Sequence, residues 1–148
     1  MDRDRNHKAL KEKISFELPI RTVSEANSSE HWHEKSARHR RQQFIMREAY
    51  KKYVTAIHLP CIITFTRMGP REMDDDNLAI SFKYLRDELG ECIFPEKRGM
   101  YLNKKGKMVK IKGRADSDAR VKWQYRQEKN SIHGIRIEIE YERNNNGI

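Results

Sequence analysis

The feature that most limits how this chain can fold is a hydrophobic period of two that recurs towards both ends. In residues 13–20, KISFELPI, the apolar Ile14, Phe16, Leu18 and Ile20 alternate with mostly polar neighbours. Residues 119–127 (ARVKWQYRQ) and 134–141 (GIRIEIEY) alternate in the same way. Successive strand side chains point to opposite faces, so each segment predicts a strand with one buried face. The last two are expected to pair as a hairpin. A further run, 57–66 (IHLPCIITFT), is rich in β-branched and aromatic residues and reads as a strand. Pro60 falls near its start, where a missing N–H is tolerated, and Gly69 and Pro70 end it.

Two segments have helical spacing instead. Residues 36–54 repeat Phe44, Ile45, Ala49, Tyr53 and Val54 on one side, while Arg38, Arg40, Arg41, Arg47, Lys51 and Lys52 give the exposed side a positive potential. The polar stretch before it, 21–35, shows no regular period and reads as a loop containing His31, Trp32 and His33. In DDDNLAISFKYLRDEL, Leu78, Phe82, Leu85 and Leu89 form one unbroken apolar stripe, which predicts a single helix. Asp76, Ile80, Lys83 and Asp87 project from its opposite side. The order β-α-β-α-β-β over 148 residues implies one α+β domain, 1–148, with two helices against a small mixed sheet of about four strands and a frayed tail at 143–148.

The chain carries 31 Lys and Arg against 22 Asp and Glu, a formal charge of +9. A balance that basic points to a polyanionic partner, nucleic acid first and an anionic membrane surface second. No stretch approaches the ~20 apolar residues of a membrane span, and MDRDRNHKALKEK lacks the apolar segment of a secretory signal, so a soluble cytoplasmic protein without a membrane partner is expected. Cys61 and Cys92 form neither a disulfide framework nor a metal pair, and are expected to be reduced packing residues. No glycine-rich phosphate loop is present, which argues against a nucleotide cofactor. After Gly90 comes a long basic segment, 91–114. Within it, residues 97–114 hold Lys97, Arg98, Lys104, Lys105, Lys107, Lys110, Lys112 and Arg114 and no acid. Its glycines at 99, 106 and 113 suggest a hairpin or flap. With Arg67 and Arg71, these eight cations are the candidate DNA-binding residues.

The acids are concentrated where catalysis would need them. Met73, Asp74, Asp75, Asp76 and Asn77 stand where a strand stops and a helix starts. Capping and the helix dipole account for one carboxylate, or two. A hard cation such as Mg²⁺ accounts for the third, since it takes one or two carboxylates and completes its shell with water and phosphate. Asp116 and Asp118 precede the strand ARVKWQYRQ and can join the same centre by strand pairing, or else serve only a local turn. Such a centre suits metal-dependent phosphodiester hydrolysis. Lys83 either reaches the same phosphate or pairs with Asp87 at i, i+4. His31 and His33 lack partners at zinc-site spacing, and Trp123 and Tyr125 are most simply core-facing.

The block MDDDNLAISFKYLRDELG, followed by ADSDARVKWQYRQEK and GIRIEIE, resembles the RusA-type Holliday junction resolvases, particularly their phage and prophage versions, from about Leu18 to Tyr141. The resemblance implies a RusA-like α+β fold and a homodimer that cuts four-way DNA junctions by paired symmetric nicks. It also implies Mg²⁺, for which Mn²⁺ can substitute. Asp74 and Asp76 match the paired aspartates, Asp118 the third acidic ligand, and Asn77 the neighbour of the pair. The best-known members carry a lysine where this chain has Ile80, and the phage-like pattern has one at Lys83, so catalytic roles fall to Asp74, Asp76, Asp118 and Lys83. The segment 91–114 looks like an insertion relative to the shortest members. Ile80, apolar on the helix's outer face, is a candidate for the dimer contact. The alternative is a basic nucleic-acid-binding protein without catalysis.

Overall fold

The computed structural model describes residues 10–25, 29–110 and 115–143. The protein is α+β, with three helices and a four-stranded mixed sheet. The elements are β1 (Leu10–Leu18), α1 (Trp32–Tyr53), β2 (Cys61–Gly69), α2 (Asp75–Ser81), α3 (Lys83–Ile93), β3 (Met100–Leu102), β4 (Met108–Lys110), β5 (Val121–Lys129) and β6 (Gly134–Arg143). They divide between two compact units: Met1–Thr22, Tyr53–Met73 and Arg120–Ile148 form the first, Val23–Lys52 and Asp74–Ala119 the second. No helix among the described residues is long and apolar enough to cross a membrane.

The first unit is the sheet, in the order β1-β6-β2-β5, with β6 antiparallel to β1 and β2, and β5 parallel to β2. The alternation read in the sequence becomes rows across one face. Phe16, Ile137, Phe65 and Tyr125 make one row, and Ile14, Ile139, Ile63 and Trp123 the next. Ile63, Phe65, Ile135, Ile137 and Ile139 are fully buried, each contributing about 1.5–3 kcal/mol relative to exposure. Trp123 and Tyr125 stack on Phe65, with ring centroids 5.7 and 6.0 Å away. The other face is polar. Lys13 pairs with Glu138, Arg136 with Glu128 at 3.0 Å, and the Thr64 hydroxyl donates to Gln124 at 3.2 Å. Cross-strand pairs of this kind suit a solvated sheet face.

The expected hairpin of the last two strands does not form, because β2 lies between them. Residues 130–133 carry the chain across the end of β2, where the Asn130 N–H donates to the Gly69 carbonyl at 2.9 Å. A side chain at Gly69 would start 3.0 Å from the His133 ring, so the crossing relies on glycine. β2 also starts and ends later than the expected 57–66, leaving Pro60 outside it.

In the second unit, α1 begins at Trp32 rather than 36, so His31, Trp32 and His33 are a helix start and not a loop. Its inward row is Gln42, Met46 and Ala49, spaced by four and three. Phe44 sits roughly 200° from Gln42 and from Met46 and is 57 % exposed, which corrects its expected core role. The basic face is also partly neutralised. Arg38 binds Glu25 at 2.8 Å and Glu30 at 2.9 Å, and Arg47 binds Glu88 at 2.8 Å.

The single helix expected after Asp74 is two. Leu78, Phe82, Leu85 and Leu89 are all buried, as the stripe requires, but the backbone breaks at Phe82 (φ −96°, ψ 1°). Buried Ser81 turns its hydroxyl back onto the Leu78 carbonyl at 2.7 Å, and the Phe82 N–H bonds the Ala79 carbonyl. Back-bonding of this type bends helices. Gly90 does not end the second helix, which runs on to Ile93. Its missing side chain instead admits the backbone of Asp116, whose nitrogen would lie 2.9 Å from a Cβ there.

Candidate active site

Asp74 is placed by the residue before it. Gln127 on β5 accepts the Met73 N–H at 2.7 Å and donates to the Met73 carbonyl at 2.6 Å, so its amide takes the place of a strand partner. The neighbouring Arg67, level with Gln127 in the β2–β5 register, donates Nη1 to the Arg71 carbonyl at 2.7 Å. Two side chains thus fix the main chain of residues 71–73. Asp74 then stands at the N-cap of α2, with Asp75 and Asp76 in its first turn.

The capping explanation of this run does not hold for Asp74. Its side chain makes no cap hydrogen bond, although its carbonyl accepts the first helical bond, from the Leu78 N–H at 2.8 Å. All three aspartates are exposed, and none has a hydrogen bond or ion pair. Consecutive carboxylates repel one another, and only the helix dipole offsets that here.

Asp118 is differently situated. It follows a 3-10 turn, Ala115–Ser117, and donates its N–H to the Ala115 carbonyl at 3.2 Å. The turn is pinned to α3. Arg86 reaches the Asp116 carboxylate at 3.1 Å and its carbonyl at 3.2 Å. The Asp118 side chain is 10 % exposed and bound by Lys97 at 3.2 Å. Among the described residues, no three His, Cys, Asp or Glu side chains converge as a metal-holding group. The donor chemistry of Asp74 and Asp76 fits Mg²⁺, which needs only one or two protein carboxylates. Asp118 fits as a third ligand only if Lys97 releases it.

Lys83 begins α3, exposed, with its ammonium 5.5 Å from the centre of the Tyr84 ring. It makes no ion pair with Asp87, which sets aside that reading of its place in the sequence. The break at Phe82 also removes the continuous helix on which its phase with Asp76 was reckoned.

The basic segment is largely ordered. β3 and β4 pair as a hairpin, and Asn103 organises its turn by accepting the N–H groups of Lys105 and Lys107, each at 2.9 Å. Gly106 has φ +76°, a left-handed conformation that favours glycine. Lys104, Lys105 and Lys107 are exposed, whereas Lys110 is placed through its backbone, and Lys112 and Arg114 lie outside the described residues. At the hairpin's base, Lys97 and Arg98 are engaged: Arg98 pairs with Glu88 and with Glu91 at 3.5 Å. Glu88, 3 % exposed, is thereby held by Arg98 and Arg47 together. Burial pushes its pKa up, and the hydrogen bonds and charges of the two arginines outweigh that, leaving it below the ordinary carboxylate value.

Burial pushes the Cys61 thiol up to about 11, and burial followed by the Glu88 charge pushes Cys92 up to about 12, so neither is an activated nucleophile. Sequence reasoning missed Gln127 and Glu88. A glutamine in an alternating strand and a glutamate in an amphipathic helix carry no local mark of their long-range partners. Comparison with protein-family models, with curated proteins and with solved structures found no match.

Proposed function

We propose that the protein is a Mg²⁺-dependent endonuclease acting on branched, four-way DNA. The observation that carries this reading is the unpaired run Asp74–Asp76, held on a clamped main chain in a protein of charge +9. Three mutually repelling carboxylates that serve no hydrogen bond are a cost to the fold unless a cation meets them. Bound Mg²⁺ would polarise a phosphoryl oxygen and acidify a water. Asp74 and Asp76 hold the ion, Asp118 joins them when Lys97 lets go, and exposed Lys83 balances charge on the phosphoryl group. Exposed Lys104, Lys105, Lys107 and Arg71 bind flanking phosphates. The resemblance to RusA-type resolvases supports the choice of junctions, a homodimer with Ile80 at its contact, and products with 5′-phosphate and 3′-hydroxyl ends. A two-fold dimer suits a substrate that needs two related cuts.

One observation favours a second reading, a nucleic-acid-binding protein without catalysis: Asp118 is neutralised by Lys97, and no three-acid group is assembled. A synthetic four-way junction with Mg²⁺ or Mn²⁺ separates the two. The nuclease reading requires paired nicks by wild type, and binding without nicking by Asp76→Asn and Asp118→Asn. Junction binding with no nicks by wild type in either metal establishes the binding module.

A further inference from the structure

Arg67 is buried on the sheet's apolar face, 9 % exposed, in the row Leu18, Ile135, Arg67, Gln127. A guanidinium taken out of water ordinarily has a carboxylate against it. This one has none. Its single hydrogen bond runs from Nη1 to the Arg71 carbonyl, Nε is sealed without a partner, and Nη2 makes no bond either. Nε–H and Nη2–H form the edge of arginine that grips two oxygens of a carboxylate or phosphate at once.

The surroundings reinforce the charge instead of cancelling it. Burial, and then the charge of Arg21, pull the Arg67 pKa below the ordinary arginine value. Arg21 and Arg71 are exposed, and His133 reaches over Gly69 beside Arg67: from the point where a Gly69 Cβ would sit, His133 Nδ1 is 3.0 Å away and Arg67 Nη1 3.5 Å. Three arginines, and a histidine that is a donor or an acceptor according to its tautomer, therefore meet with no acid recorded among them. Such an arrangement is incomplete without an anion.

We propose that the open Nε/Nη2 edge of Arg67, with Arg21 and Arg71 around it, is the seat of one phosphodiester group of a nucleic-acid backbone. The seat differs in kind from the hairpin lysines. Those are flexible, hydrated point charges, whereas Arg67 is fixed at Nη1 and presents its other edge already oriented. The identity of the anion rests on the nucleic-acid reading above; the need for one does not.

The test uses the intact wild-type protein without divalent metal, so it is independent of cleavage. The Arg67 Nε–H resonance, assigned by its loss in Arg67→Lys, is followed while inorganic phosphate or a short single-stranded oligonucleotide is added at constant ionic strength. The seat requires a saturable shift with the oligonucleotide, reached at lower concentration than with phosphate. A shift with phosphate alone overturns the nucleic-acid assignment, and no shift with either overturns the seat. In parallel, Arg67→Lys conserves charge but loses the fork, and is expected to bind DNA about tenfold more weakly with an unchanged salt dependence. Unchanged affinity in a folded Arg67→Lys would reduce Arg67 to a brace for the Arg71 carbonyl. Should that variant not fold, exposed Arg21→Gln replaces it, with weaker binding and a weaker phosphate response expected, and no change in either overturning the proposal. A junction-nicking assay on wild type reports separately on the nuclease.

Discussion

Gln127 holds the Met73 peptide at both its N–H and its carbonyl, so the side chain of one strand sets the main chain that leads into Asp74. An amide is the only neutral side chain that can donate and accept in this fashion. Gln127→Leu removes both bonds and is expected to cost about 1–3 kcal/mol, because two backbone groups lose partners at a half-buried position. Its effect on metal binding is the sharper readout. Mn²⁺ affinity, measured by titration calorimetry, falls with Gln127→Leu while Gln124→Leu, on the opposite sheet face, leaves it unchanged. Equal affinities in both variants would detach the clamp from the aspartates.

Glu88 makes stability depend on pH in a predictable direction. Its folded pKa is held below the ordinary 4.5 by Arg47 and Arg98. A depressed carboxylate contributes stability that is present above its unfolded pKa and lost as pH falls through the folded value. Glu88→Gln is therefore expected to be less stable near neutrality by about 1–3 kcal/mol, towards the lower end because both arginines can return to water. Urea midpoints of wild type and variant should converge as pH drops below 4.5. A difference that persists unchanged in acid would show that the loss came from packing.

The sequence patterns that became structure are those in which neighbours along the chain decide the outcome. Ile14, Phe16, Ile137 and Ile139 alternate and are buried or half-buried on one sheet face, and Leu78, Phe82, Leu85 and Leu89 are buried as their spacing demands. What escaped depends on partners distant in sequence or on a single polar atom. The insertion of β2 between β5 and β6 is a long-range choice that neither strand's own pattern encodes. Ser81 fits a helix in any propensity reckoning, yet its hydroxyl bond to Leu78 accompanies the break that separates Asp76 from Lys83. At the site, the acidic run was legible because three adjacent aspartates are locally odd. The Lys97 bond to Asp118 was not, since that lysine is one of eight in a stretch without acids.

Gly90 offers a structural control for the position of Asp118. Alanine there favours the helix by up to about 1 kcal/mol, but its Cβ would lie 2.9 Å from the Asp116 nitrogen and 3.2 Å from the Ala115 carbonyl carbon. Both are backbone atoms that cannot rotate aside. Overpacking of this kind costs about 1–3 kcal/mol, so Gly90→Ala is expected to lower the thermal midpoint and to displace the turn carrying Asp118. An unchanged or raised midpoint would mean that the turn yields freely.

Lys97 decides whether Asp118 can serve a metal. In the structure its ammonium occupies the carboxylate that a cation would need, so ion and lysine compete for the same oxygens. Lys97→Ala removes the competitor and leaves a largely buried carboxylate short of one partner, which lowers stability in the absence of metal. The same variant is expected to bind Mn²⁺ more tightly, by about tenfold, the scale of one charge-assisted contact. Thermal unfolding with and without Mn²⁺ measures both effects at once, since a ligand that binds only the folded state raises the midpoint. The double variant Lys97→Ala, Asp118→Asn should lose the extra gain from Mn²⁺, because the oxygen freed by the first change is withdrawn by the second. If Lys97→Ala instead binds Mn²⁺ no better than wild type, Asp118 lies outside the metal site and the lysine is its structural partner.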